Sequence, residues 1–363
     1  MTYFKYTDYK PLENIKELSS TRMEDAKFIF DYYRDKFEYR KCPICNSDDY
    51  READRFLERY EVCICKICNS YYVNPIPSAE ILDIYYNKCD SVKLYTTLHK
   101  TQHDASMIKD ERTEFIFSQI ENLLKNATQK VKILEVGCNT GNLIYSLRDF
   151  LVEKGYCDIY YHGIDLDARA IQIANELKRE SDNNIVFENI STDNLEVFND
   201  QFDVIISFDL MEHLIDPNEF CSQIYSLLKQ EGLFLFAVPN SIGITELLLP
   251  YYYDNKIITS AIFPPMHLNG FSTQNINLFA YRNKFALSYI DTKGIFDIGI
   301  LELCQEQNID NTIKDFVTCA DDATKAFLQY YTTSVAGGGY MRCVFKKYKR
   351  SNNEKHKSCR KIW

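Results

Sequence analysis

From residue 131 onward, short apolar runs alternate with amphipathic stretches, and this alternation constrains the fold more than any other feature of the chain. Val131 to Val136 is an apolar run that stops at a glycine, a pattern typical of a buried strand. A helical period follows from Asn142 to about Val152. Further strands are predicted at 159–164, 185–187, 202–207, 232–238, 285–290 and 340–345. Strands that alternate with helices form βαβ units, so we expect an α/β fold whose mostly parallel sheet has helices on both faces.

The cysteines divide the 363-residue chain into a small and a large unit. Five of the 13 cysteines lie between Cys42 and Cys68, and the other eight are scattered. We expect an N-terminal helix and a metal-binding ribbon in residues 1–90, and a cofactor domain in 91–345 with a helical insertion near 301–336. Residues 346–363 contain eight Lys or Arg against one Glu, and we expect a disordered basic tail. A basic arm that binds nucleic acid or membrane phosphate is the alternative.

The charge and the N-terminal sequence bear on partners and location. The chain has 42 basic and 52 acidic side chains, a net charge of −10, which opposes non-specific binding to phosphate. The first ten residues lack the basic and apolar regions of a secretory signal. No apolar run approaches the roughly 18 residues that span a bilayer. We therefore expect a cytoplasmic protein without a membrane span, whose cysteines stay reduced.

Two cysteine pairs indicate a zinc ribbon. Cys42-Pro-Ile-Cys45 and Cys65-Lys-Ile-Cys68 are separated by 19 residues. Each pair can occupy one tight turn, and two such turns complete a tetrahedral site for Zn²⁺. Four protein ligands close such a site, so we expect a structural role for the metal. Unliganded buried or reactive cysteines are the alternative, and a redox dithiol lacks the surrounding βα pattern.

A glycine-containing loop joins the first predicted strand to its helix. Glu135-Val-Gly137-Cys-Asn-Thr-Gly141 allows close approach of a ligand, and the amides at the helix start favour an anion. Asp165 ends the next strand, where an acid can accept both hydroxyls of a ribose. The two features together predict an adenosine-containing cofactor in a Rossmann-like sheet. At this point both hydride transfer and methyl transfer are open.

Motifs further along the chain resemble those of a known family. Phe202-Asp-Val-Ile205, Glu212-His-Leu-Ile-Asp-Pro217 and Leu227-Leu-Lys-Gln-Glu-Gly232 through Val238-Pro-Asn240 resemble class I S-adenosylmethionine-dependent methyltransferases of the methyltransferase-23-like branch. The cysteine ribbon with its Asn74-Pro-Ile-Pro77 exit is similar to the ribbon of many bacterial members, including sugar C-methyltransferases. The resemblance covers residues 42–85 and 131–290. It implies a seven-stranded sheet with one antiparallel strand and S-adenosylmethionine as cofactor.

The resemblance also implies which residues contact the cofactor. Glu135, Gly137 and Gly141 match the family's loop at the methionine part, Asp165 matches the ribose acid, and Leu166 packs against adenine. The complete predicted set is Glu135, Gly137, Cys138, Asn139, Gly141, Asp165, Leu166, Ile190 and Phe208. Asn139 replaces a glycine of the family pattern. Asparagine tolerates positive φ better than other non-glycine residues, so the loop can still form.

Three side chains are the candidate catalytic residues. Glu212 and His213 follow the fourth strand, at the sheet edge where ligands bind, and we expect His213 to act as the general base for the acceptor. His267 lies in a segment that resembles the family's H-x-x-x-F-S motif and is expected to contact the acceptor. The alternatives are that His213 buttresses the next helix and that His267 bonds the loop backbone. Asp209, Glu212 and His213 could also bind a divalent ion, as in some quinone-precursor methyltransferases.

The sequence therefore predicts methyl transfer to a small-molecule acceptor, with a sugar nucleotide or glycan precursor as the leading class. Oxygen is the favoured methyl acceptor, and carbon and nitrogen are the alternatives. An RNA methyltransferase that uses the ribbon and the basic tail is one rival hypothesis, disfavoured by the acidic pI of 5.3. A non-catalytic scaffold is another. A homodimer is a candidate assembly.

Overall fold

A computed structural model describes residues 3–9, 11–101, 106–198, 201–252, 261–294, 296–303, 315, 317 and 319–347. The helices are α1 Tyr6–Tyr9, α2 Leu12–Tyr33, α3 Ala79–Lys88, α4 Asp90–Thr101, α5 Ser106–Asn126, α6 Asn142–Glu153, α7 Ala168–Glu176, α8 Pro217–Leu227, α9 Ile244–Tyr252, α10 Ile276–Arg282, α11 Asp297–Leu303 and α12 Asp322–Ser334. The strands are β1 Phe37–Glu38, β2 Tyr50–Phe56, β3 Tyr60–Cys65, β4 Tyr71–Val73, β5 Ile76–Pro77, β6 Val131–Val136, β7 Ile159–Asp165, β8 Ile185–Asn189, β9 Phe202–Phe208, β10 Leu228–Pro239, β11 Phe285–Asp291 and β12 Tyr340–Lys347. Short 3₁₀ helices are Arg34–Lys36, Thr192–Val197 and Met211–His213.

Seven strands form one sheet in the order β11-β12-β10-β9-β6-β7-β8. The pairs from β10 to β8 are parallel, and β12 is antiparallel to both of its neighbours, β10 and β11. The predicted seven-stranded, mostly parallel sheet with one antiparallel strand is therefore confirmed.

Both faces of this sheet are covered, because alternate residues of its strands enter two different cores. On β10, Phe234 and Phe236 belong to one apolar cluster, whereas Leu235 and Ala237 belong to the other. On the first face, Phe236 packs edge-on against Phe345 of β12 with ring centroids 4.7 Å apart. The predicted arrangement of helices on both faces is also confirmed.

Two strands are longer than their sequence pattern predicts. β10 begins at Leu228 rather than 232, because Leu228 already pairs with Phe202 of β9, and the pairing resumes at Leu233 after a register shift. β12 continues to Lys347, two residues into the predicted tail. The Lys347 ammonium is buried and donates to the carbonyl oxygens of Tyr225 and Leu228, both at 2.6 Å. The positive charge of Lys347 is typical of the basic tail in the sequence. In the fold, two backbone carbonyls accept hydrogen bonds from its ammonium group.

The N-terminal ribbon packs directly on the large sheet's domain. Its strands form a three-stranded antiparallel sheet, β2-β3-β4, and β1 pairs with β5. Cys42, Ile44 and Tyr72 share an apolar cluster with Phe220 and Phe271 of the larger unit. The proposed boundary near residue 90 falls between α3 and α4.

The predicted helical insertion at 301–336 includes the end of α11 and all of α12, and residues 304–314 lie outside the described part. The tail beyond residue 347 lies outside it as well. Among the helices that the structure describes, none is both long and apolar enough to cross a bilayer.

Candidate active site

The loop after β6 has the left-handed backbone that a close-fitting cofactor loop requires. Gly137, Asn139 and Gly141 have φ values of 82°, 49° and 75°. The amides of Gly137 and Cys138 both donate to the Ile164 carbonyl, at 2.8 and 2.9 Å, which ties the loop to the end of β7. Asn139 thus adopts the positive φ that its side chain tolerates, in place of the family's glycine.

Gly141 also meets a packing requirement. A Cβ at this position would lie 2.5 Å from the Phe187 ring of β8, so only glycine lets the start of α6 pack this close to the sheet.

Asp165 joins the loop to the neighbouring strand. Its Oδ2 accepts from the Asn139 amide and its Oδ1 from the Asp167 amide, each at 2.8 Å. Burial raises the pKa of this carboxyl above its usual value. A carboxylate has about four lone-pair sites, so each oxygen keeps capacity for one further donor, such as a ribose hydroxyl.

Two predicted adenine contacts flank Asp165. Leu166 is 59% exposed, an apolar surface that a planar base could cover. The Asn189 side-chain amide donates to the carbonyls of Asp165 and Leu166, both at 2.8 Å, and fixes this turn. Ile190 follows it, partly buried against the core.

Glu135 is a buried acid whose second oxygen has no donor. The residue is 5% exposed, and Oε2 has no hydrogen-bond partner among the described residues. Burial raises the pKa of this carboxyl to about 8. A buried acceptor without a partner is costly, and a cationic group of a ligand would satisfy it. The loop, Asp165 and Glu135 together fit a cofactor that carries an amine and a ribose.

Arg112 is a site residue that the sequence analysis missed. It projects from α5, and its Nη2 donates to Asp209 Oδ2 at 2.6 Å and to the Tyr340 hydroxyl at 3.2 Å. Its guanidinium lies 5.4 Å from the centroid of the Phe208 ring, so Phe208 is covered by this cation at the end of β9. No motif marks Arg112, because α5 precedes the first strand of the sheet.

The three candidate catalytic side chains lie together although 53 residues separate the two histidines. Glu212 and His213 are on the 3₁₀ turn after β9, and His267 is on the loop that precedes α10. The rings of His213 and His267 meet edge to face with centroids 4.7 Å apart. Glu212 Oε1 lies 3.8 Å from His213 Nε2.

The surroundings of His213 determine its tautomer and charge. Nδ1 lies 3.1 Å from the Met266 carbonyl oxygen and 3.4 Å from the Tyr86 hydroxyl. A carbonyl can only accept, so Nδ1 carries the proton and Nε2 keeps its lone pair. Burial lowers the pKa of His213 to about 4, and burial with the nearby Asp209 charge raises the pKa of Glu212 well above its usual range. His213 is therefore uncharged at neutral pH, and Glu212 is harder to ionise than an exposed carboxyl.

Potential metal ligands form two groups among the described residues. One is Glu212, His213 and His267, whose ligand atoms lie within 4.8 Å of one another. Asp209, which the sequence suggested as a ligand, is outside this group and is paired with Arg112.

The other group is the four predicted ribbon cysteines. The Sγ atoms of Cys42 and Cys68 are 3.5 Å apart, and those of Cys45 and Cys65 are 3.4 Å apart. A tetrahedral Zn²⁺ with bonds of about 2.3 Å would place its thiolates about 3.8 Å apart, whereas a disulfide is about 2.05 Å long. The spacing therefore fits a shared metal ion rather than disulfides.

The two cysteine turns also have the same backbone. In each, the first cysteine carbonyl accepts from an asparagine amide four residues on, Asn46 at 2.9 Å and Asn69 at 3.0 Å. Both asparagines have positive φ. The four ligand atoms of these matching turns lie within 4.8 Å of one another.

Comparisons with known proteins agree with this geometry. Residues 108–278 match the profile of a family described as a methyltransferase domain. The chain is 33% identical over 123 residues to Bacillus subtilis YqeM, which is named as a methyltransferase; the match covers 33% of this chain and 47% of that protein. It is 25% identical over 186 residues to the ubiquinone biosynthesis O-methyltransferase of Colwellia psychrerythraea, covering 50% and 72%. Among solved structures, the plantazolicin methyltransferase BamL has a TM-score of 0.48 at 13% identity, covering 74% of this chain and 94% of that one.

The strand order defines a Rossmann-like α/β fold, and the groups of the loop after β6, of Asp165 and of Glu135 fit an adenosine-containing ligand. The chain spans about half the length of the curated relatives that it matches first. With the family match over residues 108–278, the large domain is similar to the class I S-adenosylmethionine-dependent methyltransferases.

Proposed function

We propose that this chain is a cytoplasmic enzyme that transfers the methyl group of S-adenosylmethionine to a hydroxyl of a small molecule, with a sugar nucleotide or glycan precursor as the leading acceptor class. One observation carries the proposal: the cofactor loop lies beside Leu210, the residue that precedes the 3₁₀ turn Met211–His213. The Leu210 side chain, next to that turn, lies 3.7 Å from the position of a Cβ built on Gly137. A methyl donor on the loop would therefore face an acceptor beside His213.

Each residue would have a defined task. The bound cofactor supplies a methyl group on a positively charged sulfur, so no further activation of the methyl is needed. Glu135 would pair with the cofactor's amine, and Asp165 would accept from its ribose hydroxyls. His213 would hold the acceptor and take its proton at Nε2, the nitrogen with the lone pair. His267 would contact the acceptor from the opposite loop.

The surroundings of His213 support a small, anionic acceptor. Tyr86 of α3 approaches the ring, so the N-terminal helices cover this side of the site. Burial is the main cause of the lowered pKa of His213 and of the raised pKa of Tyr86, and the positive charge of Arg22 on α2 is close enough to act on both groups. A nearby cation favours an acceptor that carries phosphate. The resemblance of the ribbon to that of sugar methyltransferases points to the same class.

The structure does not favour an RNA acceptor. Asn240, in the Val-Pro-Asn segment, is fully buried, and its side-chain amide donates to the Gly338 carbonyl at 2.8 Å. The backbone amide of Asn240 donates to the Gly339 carbonyl at 2.8 Å. Asn240 thus holds the start of β12, and its side chain is engaged rather than directed to a nucleobase. The net charge of −10 also opposes binding to a polyanion.

For the ribbon, we propose that Cys42, Cys45, Cys65 and Cys68 hold one structural Zn²⁺. The support is that all four sulfurs lie within 4.8 Å of one another, and that four protein ligands are the number that closes a structural zinc site. The ribbon from Phe37 to Pro77 is close to the size of about 40 residues below which a segment rarely folds by itself, so metal binding would add to the stabilisation that it gains by packing on the large domain.

The test is a methyl-transfer assay with tritiated S-adenosylmethionine and a panel of nucleotide sugars, with quinol precursors and RNA as comparison panels. We expect transfer to at least one nucleotide sugar. His213→Gln should lower turnover about 10²- to 10⁴-fold, the usual contribution of a general base, with little change in affinity for S-adenosylhomocysteine. His162→Gln, at a histidine paired with Glu188 on β8, is the control. Transfer to RNA alone, or full turnover by His213→Gln, would contradict the proposal.

A further inference from the structure

The loop that carries His267 lies between the cysteine ribbon and the Glu212–His213 turn, and hydrogen bonds tie it to both. On the ribbon side, the Val73 amide of β4 donates to the Leu268 carbonyl at 3.0 Å, and the Gly270 amide donates to the Tyr71 carbonyl at 2.8 Å. A Cβ at Gly270 would lie 2.6 Å from that Tyr71 oxygen, so the two chains run in close contact. The ribbon thus adds its edge strand to a loop of the active site.

On the catalytic side, two loop residues hold the backbone of the turn. The amides of Leu268 and Asn269 both donate to the Glu212 carbonyl, at 2.8 and 3.1 Å. The Asn269 side-chain amide donates to the carbonyls of Met211 and Leu214, at 3.0 and 2.7 Å. Asn269 is 1% exposed. The position of the turn is therefore determined by where the loop places Asn269.

Arg40 joins these two sets of contacts. It lies two residues before the first ribbon cysteine, and its Nη1 donates to Asn269 Oδ1 at 2.8 Å while Nη2 donates to the Leu268 carbonyl at 2.8 Å. Nη1 also reaches the Ile215 carbonyl at 3.1 Å, just after the catalytic turn. Nε contacts the Val73 carbonyl of the ribbon at 3.3 Å.

This geometry suits a guanidinium and no other side chain. The planar fork of arginine presents five N–H donors in fixed directions, and here they reach three separate segments at once. The bond to Asn269 Oδ1 also fixes the orientation of that amide, so that its NH₂ group faces the turn. None of the four acceptors of Arg40 belongs to the cofactor loop or to Asp165.

We infer that Arg40 is a positioning residue for the acceptor half of the site: it transmits the folded state of the cysteine ribbon to His213 and His267 and leaves the cofactor half unaffected. The inference rests on the proposed function for the roles of the two histidines. It predicts that the ribbon is a requirement for acceptor geometry and not for cofactor binding.

The experiment compares Arg40→Gln with Arg51→Gln, an exposed ribbon residue on β2, by nitrogen-15 NMR of the histidine rings at one fixed pH. We expect the ring signals of His213 and His267 to shift or broaden in Arg40→Gln and to stay in place in Arg51→Gln. The signal of His162, on β7, should not move in either variant. Affinity for S-adenosylhomocysteine, measured by calorimetry, should stay within about twofold of the wild type, less than 0.5 kcal/mol.

Arg40→Lys serves as the second variant if the glutamine variant does not fold. Lysine keeps the charge but lacks the fixed fork, so it should restore the His213 and His267 signals only in part. The inference is wrong if both histidines keep their wild-type signals in the folded variants. It is also wrong if the folded variants lose cofactor affinity together with those signals, because the effect is then general. Neither readout depends on methyl transfer, so a failed transfer assay would count against the proposed function alone.

Discussion

Glu135→Gln should stabilise the protein without its cofactor, and the gain should depend on pH. The Glu135 carboxyl is buried, its Oε2 has no partner, and its pKa is raised from 4.5 to about 8. Between these two values the folded state holds a proton that the unfolded state has released. Glu135 therefore lowers the free energy of unfolding, and the loss grows as pH rises from 4.5 to 8. Glutamine has the same shape and does not titrate, so it removes the penalty.

The size of the effect follows from the shift. At pH 7 the penalty spans 2.5 pH units above the unfolded value of 4.5, which amounts to about 3 kcal/mol. At pH 5 the same arithmetic gives roughly 1 kcal/mol or less. An unfolding entropy of about 2.1 cal/mol/K per residue over 363 residues converts 1 kcal/mol into about 1.3 °C. The expected rise in Tm is thus about 4 °C at pH 7 and about 1 °C at pH 5.

Scanning calorimetry of the cofactor-free protein at both pH values measures this difference. Glu114→Gln, at an exposed acid on α5, is the matched control and should change Tm by the same small amount at pH 5 and pH 7. An equal gain for Glu135→Gln at both pH values would refute the reasoning, since an effect on packing alone does not depend on pH. A loss of stability would show that the carboxylate has a partner.

Three further predictions concern the cofactor loop and the ribbon. In calorimetry, Glu135→Gln should weaken binding of S-adenosylhomocysteine by about tenfold or more, because a neutral amide replaces the charged partner of the cofactor's amine. Unchanged affinity would contradict this role of Glu135. In urea unfolding, Asn139→Ala should lower the free energy of unfolding by about 1 kcal/mol, and Asn139→Gly should leave it unchanged, since only alanine is strained at a φ of 49°. Equal stability of the two variants would contradict this explanation. Elemental analysis should find one zinc per chain in the wild type. The zinc should be lost in Cys65→Ser and kept in Cys63→Ser, because Cys63 lies outside the four-cysteine group. Retention of zinc by Cys65→Ser would rule out the assignment.

The fold was predictable where a local pattern determines the structure. The apolar run Val131–Val136 gives β6 with the predicted bounds, and the alternation of strands and helices gives the parallel sheet. The start of β10 was not predictable in this way, because the residues that follow Leu228 are polar and lack a strand pattern. The strand begins at Leu228 because this residue pairs with Phe202 of β9.

Some residues of the candidate site were predictable from the sequence, and others were not. Asp165 and the loop from Glu135 to Gly141 lie on adjacent strand ends, so sequence order alone places them together. Arg40, Arg112 and Asn269 act through hydrogen bonds to residues 33 to 229 positions away, and no local pattern records such partners. Resemblance suggested a place at the acceptor for His213 and for His267 separately, and the contact between their rings is a finding of the structure.

Calorimetric titration with S-adenosylhomocysteine tests the central claim most directly. We expect one binding site per chain in the wild type. Asp165→Ala should weaken binding about 100-fold, the equivalent of two charge-assisted hydrogen bonds of about 1.5 kcal/mol each. Asp193→Ala, at an exposed acid beyond β8, should bind as the wild type does. Absence of binding heat in the wild type at several temperatures, or equal affinity in Asp165→Ala, would contradict the assignment of this edge of the sheet as the cofactor site.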